Sequence, residues 1–482
     1  MVHAMSRAPT PDDAAELGRL HLVFVPGFGG FDALGELEYY AGTTDVFQAW
    51  CAKARDDPWG DRVVAHYFDT LPSAGVRTRA RLLREYLTSR AKRHEFRVGA
   101  DRIALIAHST GCLDVRQLLS DLDACRSRPT SERGTEAKSR EQIEGETLLE
   151  LISRVVFLSA PQRGSNLADW VRTQPVSARA AALSMASTFA DGLDFPLFTA
   201  TNQRFPWLFD ATSKLVFGLL KRLGGASGFL QAFEDVGREI SKVRDNDPWI
   251  SATSRMALAK IQLYLEQTEG DFLAIDDLSC DPRTPRTKYA CDLARASASE
   301  RAQELQRWQA DGIAVRCYAT RGRNPFSAPP SQPYELAPLH RVLWALRARV
   351  QGRAATDAPY RFAFMACASG PFVPVENEAT HFVTRAKERI ESWHNDGIVN
   401  TASMLWPAGA ATLLVDADHG DLIGHFEEGF AEGSQAELRT RVRYDIFGSC
   451  SGFDRSLFEA VWFDILSFCA SAPRAKPIRK GG

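Results

Sequence analysis

Short apolar runs that end abruptly in turn residues recur along this chain. Leu20 to Val25 is β-branched and apolar, and it stops at Pro26-Gly27-Phe28-Gly29-Gly30. Arg102 to Ala107 stops at His108-Ser109-Thr110-Gly111, and Val155 to Ser159 stops at Ala160-Pro161. Ile313 to Ala319 runs into Thr320-Arg321-Gly322, and Ala411 to Val415 into Asp416-Ala417-Asp418-His419. Runs of this length without polar alternation read as strands buried on both faces. Between them the period changes. Leu113, Val115, Leu118 and Leu119 recur at helical spacing, as do the apolar positions between Arg77 and Lys92. Strands interleaved with helices predict a mostly parallel sheet covered on both sides.

Two stretches depart from that alternation. Residues 126 to 146 are charged and almost without large apolar side chains, which predicts a solvated surface loop. From Leu167 to Ile240 the chain is apolar on more than one helical face, with Phe195, Phe198, Phe205 and Trp207 prominent. A helix apolar around its circumference must be buried or meet something apolar. The region 167–270 is therefore expected to be a helical insertion, either a plain cap on the sheet or a lid over an apolar substrate. No internal repeat is evident, and one domain spanning 1–482 is expected.

Composition narrows the class. Apolar residues make up 45% and charged residues 24% of the 482, as in ordinary globular proteins. The formal net charge of −2 gives no bulk attraction for nucleic acid or an anionic membrane. The basic residues from Arg474 to Lys480 read as a solubilising end. No run approaches the roughly 18 apolar residues of a spanning helix, and Met1 to Gly18 lacks a secretory apolar core. The expected location is therefore cytoplasmic as synthesised, with leaderless export left open. Nine scattered cysteines fit free thiols better than a disulfide framework, with Cys280 and Cys291 the one pair to consider.

The chemistry starts at Ala107-His108-Ser109-Thr110-Gly111. Small residues two before and two after a serine, between a strand and a helix, form a nucleophile elbow; larger side chains would collide with neighbouring backbone. This context predicts an α/β-hydrolase fold with Ser109 as nucleophile. A serine hydroxyl needs a base, and the base an orienting carboxylate. His419 and His425, just after the last expected strand, are the candidate bases. Several acids compete, Asp416 and Asp418 among them. Negative charge on the substrate carbonyl calls for backbone donors, and the amides of Phe28 and Thr110 are the candidates. A nucleotide-binding reading of the first glycine-rich turn fails for want of a Gly-Lys-Ser or Gly-Lys-Thr.

These residues resemble the large secreted true lipases of thermophilic bacilli and staphylococci. Val25-Pro26-Gly27-Phe28 is similar to their oxyanion loop, and Glu38-Tyr39-Tyr40-Ala41-Gly42 to a following aromatic segment. Ile106-Ala107-His108-Ser109 matches the run entering their elbow, and Ser159 to Ser165 resembles a strand end. Asn395-Asp396-Gly397-Ile398-Val399-Asn400-Thr401 is identical to their catalytic-acid motif. By that resemblance Asp396 is the carboxylate. Asp418-His419 with Leu422-Ile423-Gly424 implies that His419 is the base.

The resemblance implies a serine lipase or carboxylesterase acting on apolar acyl esters, with a lipid or ester molecule, or a lipid or polyester surface, as its partner. A polyhydroxyalkanoate depolymerase and a phospholipase effector remain alternatives with the same chemistry, and a non-catalytic binding protein is the contrasting one. The family's structural zinc needs two aspartates and two histidines. Only Asp277 matches, and Phe68 to Arg102 holds no histidine but His94. Its calcium site is matched at Asp421, while Phe426 occupies the other acidic position. No metal cofactor is therefore expected, with calcium left open. Asp277 and Asp421 should instead cap loops or pair with cations.

Overall fold

The computed structural model describes residues 18–28, 30, 33–34, 37–53, 62–71, 74–127, 139–173, 273–281, 292–325, 358–370, 378–406, 411–426, 449 and 451–471. In chain order the strands are β1 (Leu20–Val25), β2 (Ala33–Leu34), β3 (Leu37–Glu38), β4 (Val63–Tyr67), β5 (Arg102–His108), β6 (Ile152–Leu158), β7 (Ala314–Arg321), β8 (Glu378–His381), β9 (Lys387–Arg389) and β10 (Ala411–Asp416). The helices are α1 (Thr43–Lys53), α2 (Val76–Lys92), α3 (Gly111–Ser127), α4 (Arg140–Leu151), α5 (Asn166–Thr173), α6 (Ala274–Asp277), α7 (Ala298–Ala310), α8 (Ala358–Ala368), α9 (Thr401–Met404) and α10 (Arg455–Ala470). Eight strands form one sheet in the order β4-β1-β5-β6-β7-β10-β8-β9. Every pairing is parallel except that of β8 with the edge strand β9.

The continuous apolar runs are explained by burial on both faces of this sheet. Along β1, Val23 and Val25 pack with α2, α3, α4 and α7 through Leu83, Leu118, Leu148 and Trp308. Leu22 and Phe24 face the opposite layer, against Trp50 of α1 and Phe458, Trp462 and Ile465 of α10. Each such side chain contributes about 1.5–3 kcal/mol on burial, an upper estimate because an unfolded chain is already partly compact. The result is an α/β-hydrolase fold: a central parallel sheet, helices on both faces, and a strand-to-helix elbow at the carboxyl end of β5.

The five strands expected from the apolar runs are β1, β5, β6, β7 and β10. β4, β8 and β9 carry no comparable signal, since their residues are half-buried or alternate with polar ones.

The charged stretch 126–146 differs from its expectation at both ends. Arg126 and Ser127 close α3, and residues 140–146 are already helical. Ser139 and Gln142 form a reciprocal capping box, and Arg140 pairs with Glu144 one turn on. The apolar residues that seat α4, Leu148, Leu149 and Leu151, come only after the charged positions, which hid the helix. Of the expected insertion 167–270, the described residues include only 167–173, which are α5 without its first residue. Phe195, Phe198, Phe205 and Trp207 lie outside the described residues. Among those described, no helix is long and apolar enough to cross a membrane.

Candidate active site

The carboxyl edge of the sheet gathers residues from four distant parts of the chain. Ser109 follows β5 directly with φ +54°, left-handed and unusual for a residue with a side chain. Its amide donates to Leu158 O at 2.9 Å and its carbonyl receives the Cys112 amide at 3.0 Å, so the turn is pinned from both sides. A Cβ at Gly111 would lie 2.6 Å from both Pro26 O and Val25 O, which is why no side chain fits two residues after the serine. A Cβ at Gly27 would lie 2.6 Å from Ser109 Cβ, so the first glycine-rich loop runs against the elbow.

His419 hangs from the loop after β10. Its Nε2 lies 2.9 Å from Ser109 Oγ and its Nδ1 lies 2.7 Å from Asp396 Oδ2. The His419 amide donates to the Asp396 carbonyl at 3.0 Å, so the pair is joined through backbone as well. Ser109 is 5% exposed and His419 6%, whereas Asp396 is fully enclosed.

In the run Asn395–Thr401 the first two polar side chains shape the turn and the last two tie it to neighbouring elements. Asn395 Oδ1 accepts from the Gly397 amide, and Gly397 takes φ +95°. Asp396 Oδ1 accepts from the amides of Ile398 at 3.0 Å and Val399 at 2.8 Å. Asn400 donates to Cys367 O, and Thr401 donates its hydroxyl to Thr320 O. Thr320 at the end of β7 donates its own hydroxyl to Asp396 Oδ2 at 2.7 Å. Ser159 Oγ lies 2.9 Å from Thr320 Oγ1, and Ser159 also has positive φ, +49°. Both carboxylate oxygens of Asp396 are thus held by two donors each, with the ring of His419 as one of them.

The competing residues are used elsewhere. Asp416 pairs with Arg321 at 2.6 Å and with His381 at 3.1 Å. Asp418 accepts from the amides of Gly420 and Asp421 and from the Ser449 hydroxyl. His425 donates from Nε2 to the Tyr39 carbonyl at 3.1 Å.

Phe28, next to Gly27 on the loop that runs against the elbow, is 45% exposed, and Thr110, next after the serine, is buried. Among the described residues neither amide has a hydrogen-bond partner. Two donors beside a nucleophile and bonded to no group among the described residues suit an incoming negative oxygen.

Other groups at the site gave little sign of themselves. Arg79 of α2 is fully buried. It donates to Thr110 Oγ1 at 3.0 Å and to Pro26 O at 2.8 Å, and pairs with Asp114 at 2.7 Å. It thereby ties the glycine-rich loop to the elbow. Its only trace in the sequence is its place on the apolar face formed by Val76, Ala80, Leu83 and Leu87. Thr320 had none, because only the fold brings β7 beside Asp396.

The acidic positions considered for metals are occupied by protein donors. Asp277 Oδ2 accepts from the Val76 amide at the start of α2 at 2.8 Å. Asp421 Oδ2 accepts from the Asp418 amide and the Ser451 hydroxyl. Among the described residues no group of three or more histidine, cysteine, aspartate or glutamate side chains is placed to hold a metal ion. Cys280 is a free thiol whose Sγ lies 2.9 Å from Asp169 Oδ2, and Cys291 lies outside the described residues.

No protein-family model matches the sequence, and no curated protein matches it. Solved structures similar to it include lipase 1 from Pelosinus fermentans, at 15% identity, covering 93% of this chain and 99% of that one, with a TM-score of 0.37. The Staphylococcus hyicus lipase shares 12% identity over 93% of this chain and 95% of that one, TM-score 0.39. Bacillus licheniformis lipase BlEst2 in its mature form shares 12% over 86% and 88%, TM-score 0.31. At such scores the fold assignment stands on the strand order and the elbow.

Proposed function

We propose that the chain is a serine hydrolase of carboxylic esters that works through an acyl-enzyme. The observation that carries this is the unbroken line Ser109 Oγ, His419 Nε2, His419 Nδ1, Asp396 Oδ2, with steps of 2.9 and 2.7 Å across the ring. Ser109 Oγ attacks the ester carbonyl while its proton passes to His419 Nε2. The carbonyl electrons move onto oxygen, which the amides of Phe28 and Thr110 receive. As the C–O bond to the alcohol breaks, His419 returns the proton to the departing alkoxide. Water then repeats the sequence on the acyl-serine, giving up its proton to Nε2 and freeing Ser109. Asp396 keeps Nδ1 protonated, so Nε2 is the basic nitrogen, and it stabilises the imidazolium as it forms. General base catalysis of this kind contributes roughly 10²–10⁴-fold, and an oxyanion donor about 10²–10³-fold.

Apolar acyl groups, and hence lipase activity, are the favoured substrate class. The support is the apolar sequence of 167–240, the exposed Phe28 on the loop against the elbow, and the motif resemblance to bacterial lipases. The test is an ester series of increasing acyl length with wild type and Ser109→Ala. Turnover that rises with chain length and drops at least ~10⁴-fold in the variant supports the reading. Undiminished turnover in the variant, or no labelling of Ser109 by a fluorophosphonate, refutes it.

A further inference from the structure

Tyr39 and His108 make a hydrogen-bonded chain that touches two parts of the site without touching the nucleophile's oxygen. The Gly27 amide lies 2.8 Å from Tyr39 Oη, Tyr39 Oη lies 2.7 Å from His108 Nδ1, and His108 Nε2 lies 2.9 Å from the carbonyl oxygen of His419. The ends fix every proton in it. An amide can only donate, so Tyr39 Oη accepts from Gly27. A carbonyl can only accept, so His108 carries its proton on Nε2. A neutral imidazole then has its lone pair on Nδ1, and Tyr39 must donate its hydroxyl there. His108 is 1% exposed, and burial together with the nearby imidazole of His419 pushes its pKa well below the usual histidine value, so the neutral form holds. Burial likewise pushes the Tyr39 phenol upward, which keeps its proton in place. His425 adds a further tie by donating to the Tyr39 carbonyl.

We propose that Tyr39 and His108 are positioning residues that lock the Phe28 amide and the His419 ring into one geometry. Gly27 immediately precedes Phe28, so the tyrosine hydroxyl sets the loop that presents the oxyanion donor. His108 immediately precedes Ser109 and grips the backbone of the base, whose own amide is held by Asp396 O. The chain of bonds has one direction, and every donor in it is used. Breaking one link therefore leaves the other ends unpaired in a buried place and lets loop and base drift independently. It presupposes the acyl transfer proposed above.

The test is steady-state hydrolysis of a soluble chromogenic ester by Tyr39→Phe, His108→Asn and the double variant. Rates are expressed per site titrated with a fluorophosphonate, so that loss of folded protein does not count as loss of rate. The expected result is a fall in kcat of about 10- to 100-fold for each single variant, with KM within about twofold. The double variant should fall no further than the worse single one, because both cut the same chain. Should His108→Asn give no titratable protein, His108→Phe, which fills the ring's space but cannot donate to the His419 carbonyl, takes its place with the same expectation. Single variants with wild-type kcat per titrated site, or losses that multiply in the double, overturn the proposal. Ser109→Ala, which has no titratable site and is compared with wild type per mole of folded protein, separates the two readings. If it is inactive while Tyr39→Phe is normal, only the positioning chain fails. If it stays active, the reading of the site fails with it.

Discussion

Replacing Thr320 by valine removes a single hydroxyl and keeps the shape of a fully buried side chain at the end of β7. That hydroxyl donates to Asp396 Oδ2 at 2.7 Å, on the same oxygen that faces His419 Nδ1. A hydrogen bond to a charged acceptor contributes about 1.5–3 kcal/mol. Three donors to the carboxylate remain in the variant: the amides of Ile398 and Val399 and the ring of His419. The carboxylate therefore stays in place but is held less firmly on the side that matters. Only the share of the lost energy that differs between ground and transition state appears in kcat. That share is substantial, because the charge on Asp396 is called on as the imidazolium forms. A loss of about 1.4–2.8 kcal/mol corresponds to roughly 10- to 100-fold in kcat, with KM little changed. The assay is hydrolysis of a chromogenic ester per fluorophosphonate-titrated site, with thermal unfolding measured alongside. Thr320→Ser, which keeps the hydroxyl, should stay within a few-fold of wild type. A folded Thr320→Val with kcat within twofold of wild type would show that the carboxylate needs no support from β7, and the reasoning would be wrong.

Gly111→Ala places a methyl 2.6 Å from two backbone carbonyl oxygens, those of Pro26 and Val25. Since backbone must shift, a loss of roughly 1–3 kcal/mol of stability is expected in urea unfolding, together with a drop in kcat as the loop is pushed from the elbow. An alanine variant as stable and active as wild type would contradict the crowding. Acid should destabilise the fold well before the carboxylates titrate. Burial lowers the folded pKa of His66 and of His394 to about 4 from the usual 6.5, helped by His21 beside the first and Arg321 beside the second. Between pH 6.5 and 4 the unfolded chain thus binds more protons than the folded one, so stability is complete above that window and falls as pH drops through it. With partial exposure weakening each effect, a combined loss of about 2–4 kcal/mol by pH 4.5 is expected. An unchanged acid slope in the doubly substituted His66→Asn, His394→Asn protein would sink this assignment. Finally, prolonged dialysis against EDTA should leave Tm and ester turnover unchanged, because Asp277, Asp418 and Asp421 each accept from backbone amides. A fall in either that added calcium or zinc restores would reverse that expectation.

Much of this protein was legible along the chain because its determinants are local. The two-faced apolar runs specify strands that must be covered on both sides, and the small residues around Ser109 specify a turn only they can make. The turn at Asn395 to Val399 is written locally, since Asn395 and Asp396 each accept from amides two or three residues on. The charged stretch at 126–146 misled for the same reason in reverse: a helix seated by three late leucines and opened by a Ser139–Gln142 box shows its polar face first.

What tertiary structure alone decided is which distant groups share a proton or a bond. Motif resemblance aside, His419 and His425 stand six residues apart with similar surroundings in sequence, and Asp416, Asp418 and Asp396 are equally acidic. Only the sheet order, which sets β7 and β10 beyond β6 and β5, brings one imidazole and one carboxylate to Ser109 and spends the others on Tyr39, Arg321 and Ser449. Thr320, Arg79 and the Tyr39–His108 chain follow the same rule. A hydrogen bond falls off within a few tenths of an ångström, and nothing in the local pattern of a chain encodes a distance across the fold.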